Sequence, residues 1–308
     1  MKFPAQETQP DLHDFFVRES RTEDHVSVHE RYEDLKKSPL YNPEYQRFYS
    51  SFTVHGKLPE VVDRDLNLVD KCADILLRAQ LHDPNAQSDS EYVKSRFESD
   101  LMSNQLILES TSEDGSLGSS TLLYSRLWAT IAIAVSNQPT AKVIWRILED
   151  GYFDRQQLIW SRLPRDRAPF IKTTGTADDQ LLALLAIHQL DPGGSLSGLY
   201  QRFLHQAWQT SAWSIREYFL EILVLQRCGR DAEALSRYQN LKTQGWYDPV
   251  AQVWRPVPGD RALGQAHYTH DQLLGLLVEQ GLEAKGFLTA DMEPFTTTQL
   301  PPPEVLHF

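Results

Sequence analysis

The chain has 308 residues, 30 Lys and Arg against 42 Asp and Glu, a formal net charge of −12 and a hydrophobic fraction of 41%. That is the composition of a globular protein able to bury roughly 75% of its unfolded surface. The acid excess excludes a phosphate-gripping nucleic-acid binder and a protein held to an anionic membrane, and two cysteines, Cys72 and Cys228, exclude a disulfide framework and a Cys-rich zinc site.

Residues 1–20 are polar, hold two prolines and show no apolar signal-peptide stretch, so a loosely ordered arm and a cytoplasmic location are expected. From there the apolar spacing is helical. It predicts helices over 24–37, 65–81, 89–109, 119–135, 140–150, 177–190, 195–209, 212–228, 231–243 and 270–285. The longest apolar run, 122–135, is broken by Tyr124, Ser125 and Arg126 and is too short to span a bilayer. Thr140, Ser195 and Asp231 read as helix caps, and Gly151 and Gly245 as left-handed stops. The Ser- and Gly-rich stretch 110–120 reads as a loop, and no alternating run is long enough for a sheet. The fold class is therefore all-α, with residues 21–288 as one domain. Residues 289–308 contain three consecutive prolines and form a tail lying on the surface or on a protein partner.

An internal repeat organises the helices. At an offset of 94, Gly151, Asp154, Trp160, Pro164, Asp166, Arg167 and Ala168 match Gly245, Asp248, Trp254, Pro258, Asp260, Arg261 and Ala262. After a two-residue gap, Asp179-Gln180-Leu181-Leu182 matches Asp271-Gln272-Leu273-Leu274. A fainter copy starts at Leu40, with Tyr41, Asn42, Pro43 and Phe48 in the places of Tyr247, Asp248, Pro249 and Trp254. One unit cannot cover its own Leu-rich face, so neighbours must stack in a solenoid or a ring.

A glycine, two aromatics, an Asp, a long loop and a helix opening Asp-Gln-Leu-Leu together resemble the (α/α) toroids, among them the six-hairpin glycosidases and the N-acylglucosamine 2-epimerase-like proteins. The resemblance spans about residues 24–285. It implies helical hairpins arranged as a toroid, with a ligand site at one mouth and sugars as the commonest ligands; terpenoid chemistry also occurs on such rings. A complete six-hairpin ring uses twelve helices, whereas ten are predicted here, so the ring is short, open or completed by helices the pattern hides. No catalytic motif of the family maps onto this sequence.

Positions shared by both units read as structural. Asp154 and Asp248 are expected to accept turn hydrogen bonds. Trp160 and Trp254 either plug the hairpin or offer a flat face to a ligand. Arg167 and Arg261 either pair with Asp179 and Asp271 or bind an anionic group. Positions that differ between units are freer to carry chemistry. Ahead of its inner helix one unit has Lys172, Thr174, Thr176 and Asp178, and the other has His267, Tyr268 and His270. Asp178 beside Asp179, with His267 or His270 opposite, is the predicted acid–base set, and Lys172, Tyr268, the two tryptophans and the two arginines are the predicted ligand contacts. The alternative is a solvated polar rim. His267 and His270 are spaced i, i+3 but lack a Glu and a third ligand, and no nucleotide-binding glycine motif occurs, so no metal and no cofactor are expected. The expected function is acid–base catalysis (isomerisation, hydrolysis or elimination) on a sugar-like small molecule. The competing readings are a non-catalytic protein-binding repeat and an enzyme acting on an apolar, terpenoid-like natural product.

Overall fold

The computed structural model describes residues 26–55, 58–102, 107–111, 117–120, 123–156, 158–162, 176–193, 196–205, 213–259 and 266–288. Ten helices lie among them: α1 (Val28–Lys37), α2 (Leu68–Gln80), α3 (Asn85–Met102), α4 (Leu123–Ile133), α5 (Gln138–Tyr152), α6 (Ala177–Leu190), α7 (Leu196–His205), α8 (Ile215–Arg227), α9 (Asp231–Thr243) and α10 (Thr269–Glu283). The even-numbered helices are the ones buried along most of their length. Each touches the next, α2 to α4, α6, α8 and α10, and α10 returns to α2. They form a closed inner ring, while α3, α5, α7 and α9 pack outside the helices they follow and α1 packs on α10. The fold is all-α, a ring of five helical hairpins among the described residues.

The inner helices are buried along most of their length because both their faces are covered. α4 has every residue from Leu127 to Ile133 buried, and α10 is buried from Thr269 to Glu279. The outer helices show one buried stripe. In α5 the buried residues are Ala141, Ile144, Leu148 and Tyr152, at i, i+3 and i+4 spacing.

Three two-stranded hairpins join an outer helix to the next inner one: β1 (Tyr41–Asn42) with β2 (Arg47–Phe48), β8 (Phe153–Asp154) with β9 (Ile159–Trp160), and β10 (Tyr247–Asp248) with β11 (Val253–Trp254). Their construction is the same. An aromatic pairs across with an aromatic, Tyr41 with Phe48, Phe153 with Trp160 and Tyr247 with Trp254. The Oδ1 of Asn42, Asp154 or Asp248 accepts the backbone N–H two residues on. Four residues past that side chain the backbone is left-handed, at Gln46, Leu158 and Gln252. The faint copy at Leu40 is thus a third full copy in space. Gln180 and Gln272 then act as a substitute strand: each side chain accepts the N–H and donates to the carbonyl of Trp160 or Trp254, at 2.8–2.9 Å. In the first copy Lys71 takes that place and donates to the Gln46 carbonyl at 3.0 Å.

Several sequence expectations need correction. A sheet does form: β3 (Ser51–His55) pairs antiparallel with β4 (Leu58–Asp63) and with β12 (His267–Tyr268), so residues 267 and 268 are strand. A second one joins β5 (Leu66–Asn67), β6 (Ile107–Thr111) and β7 (Leu117–Ser120), where a helix end and a loop were expected. The cap of α5 is Asn137, which accepts the Thr140 N–H at 3.0 Å, and Asp231 is the first residue of α9 rather than its cap. Gly151 lies inside α5 and stops nothing, whereas Gly245 has φ +82° and ends α9 as expected. Ser195, the arm and the tail lie outside the described residues.

Neighbouring hairpins are also clasped by buried polar pairs. An outer-helix tyrosine hydroxyl donates to a buried acid on the following inner helix, Tyr32 to Asp74 at 2.5 Å, Tyr200 to Glu221 at 3.0 Å and Tyr238 to Glu279 at 2.5 Å. A cation shares each acid: Lys71 and Arg78 on Asp74, Arg237 on Glu221, Arg31 on Glu279.

Candidate functional site

Ring closure brings the first turns of the inner helices together. Their second residues are Val69, Tyr124, Asp178, Arg216 and His270, and their third residues Asp70, Ser125, Asp179, Glu217 and Asp271. These first turns gather polar side chains at one mouth of the ring, where five helix N-termini add positive potential.

Contacts there run across the ring as well as around it. Tyr124 on α4 and His270 on α10 are not on adjacent helices, yet the Tyr124 hydroxyl and His270 Nε2 are 2.8 Å apart. The edge of the His270 ring meets Trp128, also on α4, at a centroid distance of 5.2 Å and 90°. The Arg216 guanidinium, on α8, lies 5.7 Å from the centre of the Tyr124 ring and donates from Nε to Asp271 Oδ1 at 3.1 Å. Beneath them Asp70 Oδ1 is 3.2 Å from His270 Nδ1, off the direction of a hydrogen bond, so Nδ1 is unpaired. Tyr124, Trp128 and His270 therefore span the lumen as a floor.

Protonation follows from burial. Desolvation pushes the Asp70 carboxyl up to about 8, against the pull of Arg216. Desolvation also drives His270 down to about 3, helped by the Arg216 cation, and raises Tyr124 further above neutrality. Near pH 7 the floor is thus a protonated acid, a neutral imidazole and a neutral phenol. Asp179 is pushed up to about 6, first by burial and then by the neighbouring Asp178. Its Oδ2 accepts the Thr176 N–H at 3.3 Å and hydroxyl at 2.8 Å, and its Oδ1 is buried without a partner. Asp178 is half-buried, takes the Thr176 hydroxyl and the Asp179 N–H, and its charge reaches both Tyr124 and His270.

Because the folded Asp70 holds its proton more tightly than the unfolded one, the folded state binds more protons between pH 4 and 8 and stability falls as pH rises through that window. Asp70→Asn is therefore expected to melt above the parent at pH 8, with the gap closing toward pH 4. Thermal melts across that range check this.

Of the residues singled out from the sequence, Asp178, Asp179 and His270 meet at this mouth. His267 sits elsewhere, in β12, stacked on Phe52 at 5.3 Å with Nδ1 3.1 Å from the Trp254 carbonyl, and Tyr268 beside it is exposed. Trp160 and Trp254 are buried in their hairpins, Trp254 against Phe219, Tyr238 and Tyr247 and Trp160 against Trp145 and Phe153. Asp271 pairs with Arg216 rather than with a loop arginine. Arg167, Lys172 and Arg261 lie outside the described residues. Tyr124, Arg216 and Asp70 were not singled out. Their signal was positional, a polar or hydroxyl-bearing residue in the first turn of an inner helix.

Among the described residues no three His, Cys, Asp or Glu are grouped to hold a metal ion, and no helix is long and apolar enough to cross a membrane. No protein-family profile matches the chain, and no curated protein matches it. Among solved structures, an alpha-amylase from Clostridium perfringens superposes with a TM-score of 0.54 at 11% identity, covering 85% of this chain and 99% of that one. At that identity the likeness is one of fold: this chain shares its overall architecture with a glycosidase.

Proposed function

We propose that the chain is a hydrolase acting on a carbohydrate at the inner-helix N-terminal mouth of the ring. The observation that carries this reading is the convergence of Asp178 and Arg216, from two inner helices, on the Tyr124–His270 pair that spans the ring. The amylase of like fold and the toroid resemblance of the sequence repeat support a sugar as the ligand. Cleavage of a glycosidic bond needs one group to take a proton from water and another to give one to the leaving oxygen. Asp178, the half-buried carboxylate, is the base. Water bonds to the anomeric carbon as the glycosidic C–O bond breaks, its proton passes to Asp178, and the leaving oxygen takes a proton from the floor. Asp179 orients the Asp178 turn through Thr176. Arg216, held by Asp271, offers its remaining N–H groups to sugar hydroxyls, and the aromatic residues of the mouth offer apolar faces to a sugar ring.

The test is a hydrolysis screen of the full chain on soluble starch, maltooligosaccharides and α- and β-linked aryl glycosides. Asp178→Asn is expected to lower kcat by about 10²–10⁴-fold with an unchanged melting curve. Hydrolysis of none of these, or full activity in Asp178→Asn, overturns the reading.

A further inference from the structure

Among the described residues, four tyrosine hydroxyls are tied to buried titratable groups. Three are the clasps between adjacent hairpins, and each ends directly on a carboxylate that a cation also neutralises. The fourth differs in every respect. It crosses the lumen, from α4 to α10, it ends on an imidazole, and behind that imidazole stands Asp70, contributed by a third helix, α2. His270 Nδ1 is buried, unpaired and 3.2 Å from the Asp70 oxygen, so a small ring rotation completes the line from carboxyl to phenol.

We infer that Asp70, His270 and Tyr124 form a proton relay across the ring, with the Tyr124 hydroxyl as the catalytic group that protonates the leaving oxygen of a ligand bound above it. This rests on the hydrolase reading and deepens it. The transfer balances without a charged intermediate. As the ligand C–O bond breaks, its oxygen takes the Tyr124 proton, the phenolic oxygen takes the proton of His270 Nε2, and Nδ1 takes the proton of the Asp70 carboxyl. Asp70 has then lost one proton, Asp178 has gained one from water, and water has been added across the bond; Asp178 releases its proton to solvent and Asp70 regains one by the reverse path. Burial disfavours both imidazolium and phenolate at this depth, which requires the protons to move together and makes Asp70 the reservoir. The charged groups facing the relay are Arg216 from α8, Asp271 from α10 and Asp178 from α6. Tyr124 is the catalytic residue; His270 and Asp70 act through it.

Two readouts on the full chain decide it. In ¹⁵N-histidine NMR, His270 is expected to carry its proton on Nε2 at pH 6–7 and to shift it to Nδ1 as pH rises past about 8, where Asp70 ionises. The switch should vanish in Asp70→Asn. In kinetics on any glycoside from the screen, Tyr124→Phe is expected to lower kcat at least 100-fold with KM within about two-fold, and Asp70→Asn to hold kcat at every pH at the low level the parent reaches above pH 8, so that the limb near pH 8 is lost; a fully active Asp70→Asn overturns the relay. An active Tyr124→Phe beside an inactive Asp178→Asn overturns the relay and leaves the hydrolase reading standing. If no glycoside is cleaved the hydrolase reading fails, and a His270 tautomer that ignores both pH and Asp70→Asn then overturns the relay as well.

Discussion

Trp254→Ala should lower stability by about 3–5 kcal/mol, the usual cost of deleting a fully buried aromatic. Trp254 is 2% exposed and sits where four elements meet: its ring contacts Phe219 of α8, Tyr238 of α9 and Tyr247 of the hairpin, at centroid distances of 4.8–5.7 Å. The fourth is α10, whose Gly275 leaves the space; a Cβ there would stand 2.4 Å from the indole Nε1. So much shape matching leaves little freedom for collapse once the ring is gone. Trp160, at the equivalent place, is 6% exposed and contacts Trp145 and Phe153, so Trp160→Ala should cost less. Urea or thermal denaturation measures both. Equal losses would show that the hairpin core, and not the junction with α10, sets the energy.

Glu279→Ala is the second large effect. Glu279 is 1% exposed, accepts the Tyr238 hydroxyl and pairs with Arg31 of α1. Removing it leaves a phenol unpaired and a largely buried guanidinium uncompensated, and breaking one side of such a pair costs about 3–5 kcal/mol. The loss should be mostly recovered in the Arg31→Met, Glu279→Met double variant, which removes both charges and fills the space. If the double variant is as unstable as Glu279→Ala, the energy lies in the packing of α1 and not in the stranded charge.

Architecture was legible where local chemistry repeats. The apolar spacing gave the ten helices, and the paired segments 151–190 and 245–282 pointed to one unit used more than once, with the Asp154 and Asp248 turns and the Gln180 and Gln272 helix starts in matching places. The weak copy at Leu40 was legible too, although Asn replaces Asp and Phe replaces Trp, because a turn acceptor and an aromatic plug suffice. The β3–β4 pair was hidden because its burial does not alternate cleanly: it borrows pairing from β12, more than 200 residues away, and no local pattern encodes that partner. The site was half visible for a similar reason. Asp178 and His270 stand out beside the repeat, where its two copies differ. Tyr124, Arg216 and Asp70 open helices that follow no clear copy or only the faint one, and their meeting depends on closure of the ring. Comparing repeats finds what departs from a pattern, and cannot find what only the circle brings together.

The seam of that circle has a consequence for synthesis. α1 leaves the ribosome early, but its partners are late: the Val28 N–H donates to Glu283 at 3.0 Å and Arg31 pairs with Glu279, both on α10. Until some 250 further residues have been translated, at roughly 5–20 residues per second, Val28 and Arg31 have no α10 to rest on and α2 lacks one of its two ring neighbours. The nascent chain must therefore carry an open arc with two sticky ends for more than ten seconds, and a chaperone able to shield the first hairpin over that interval would raise its folding yield.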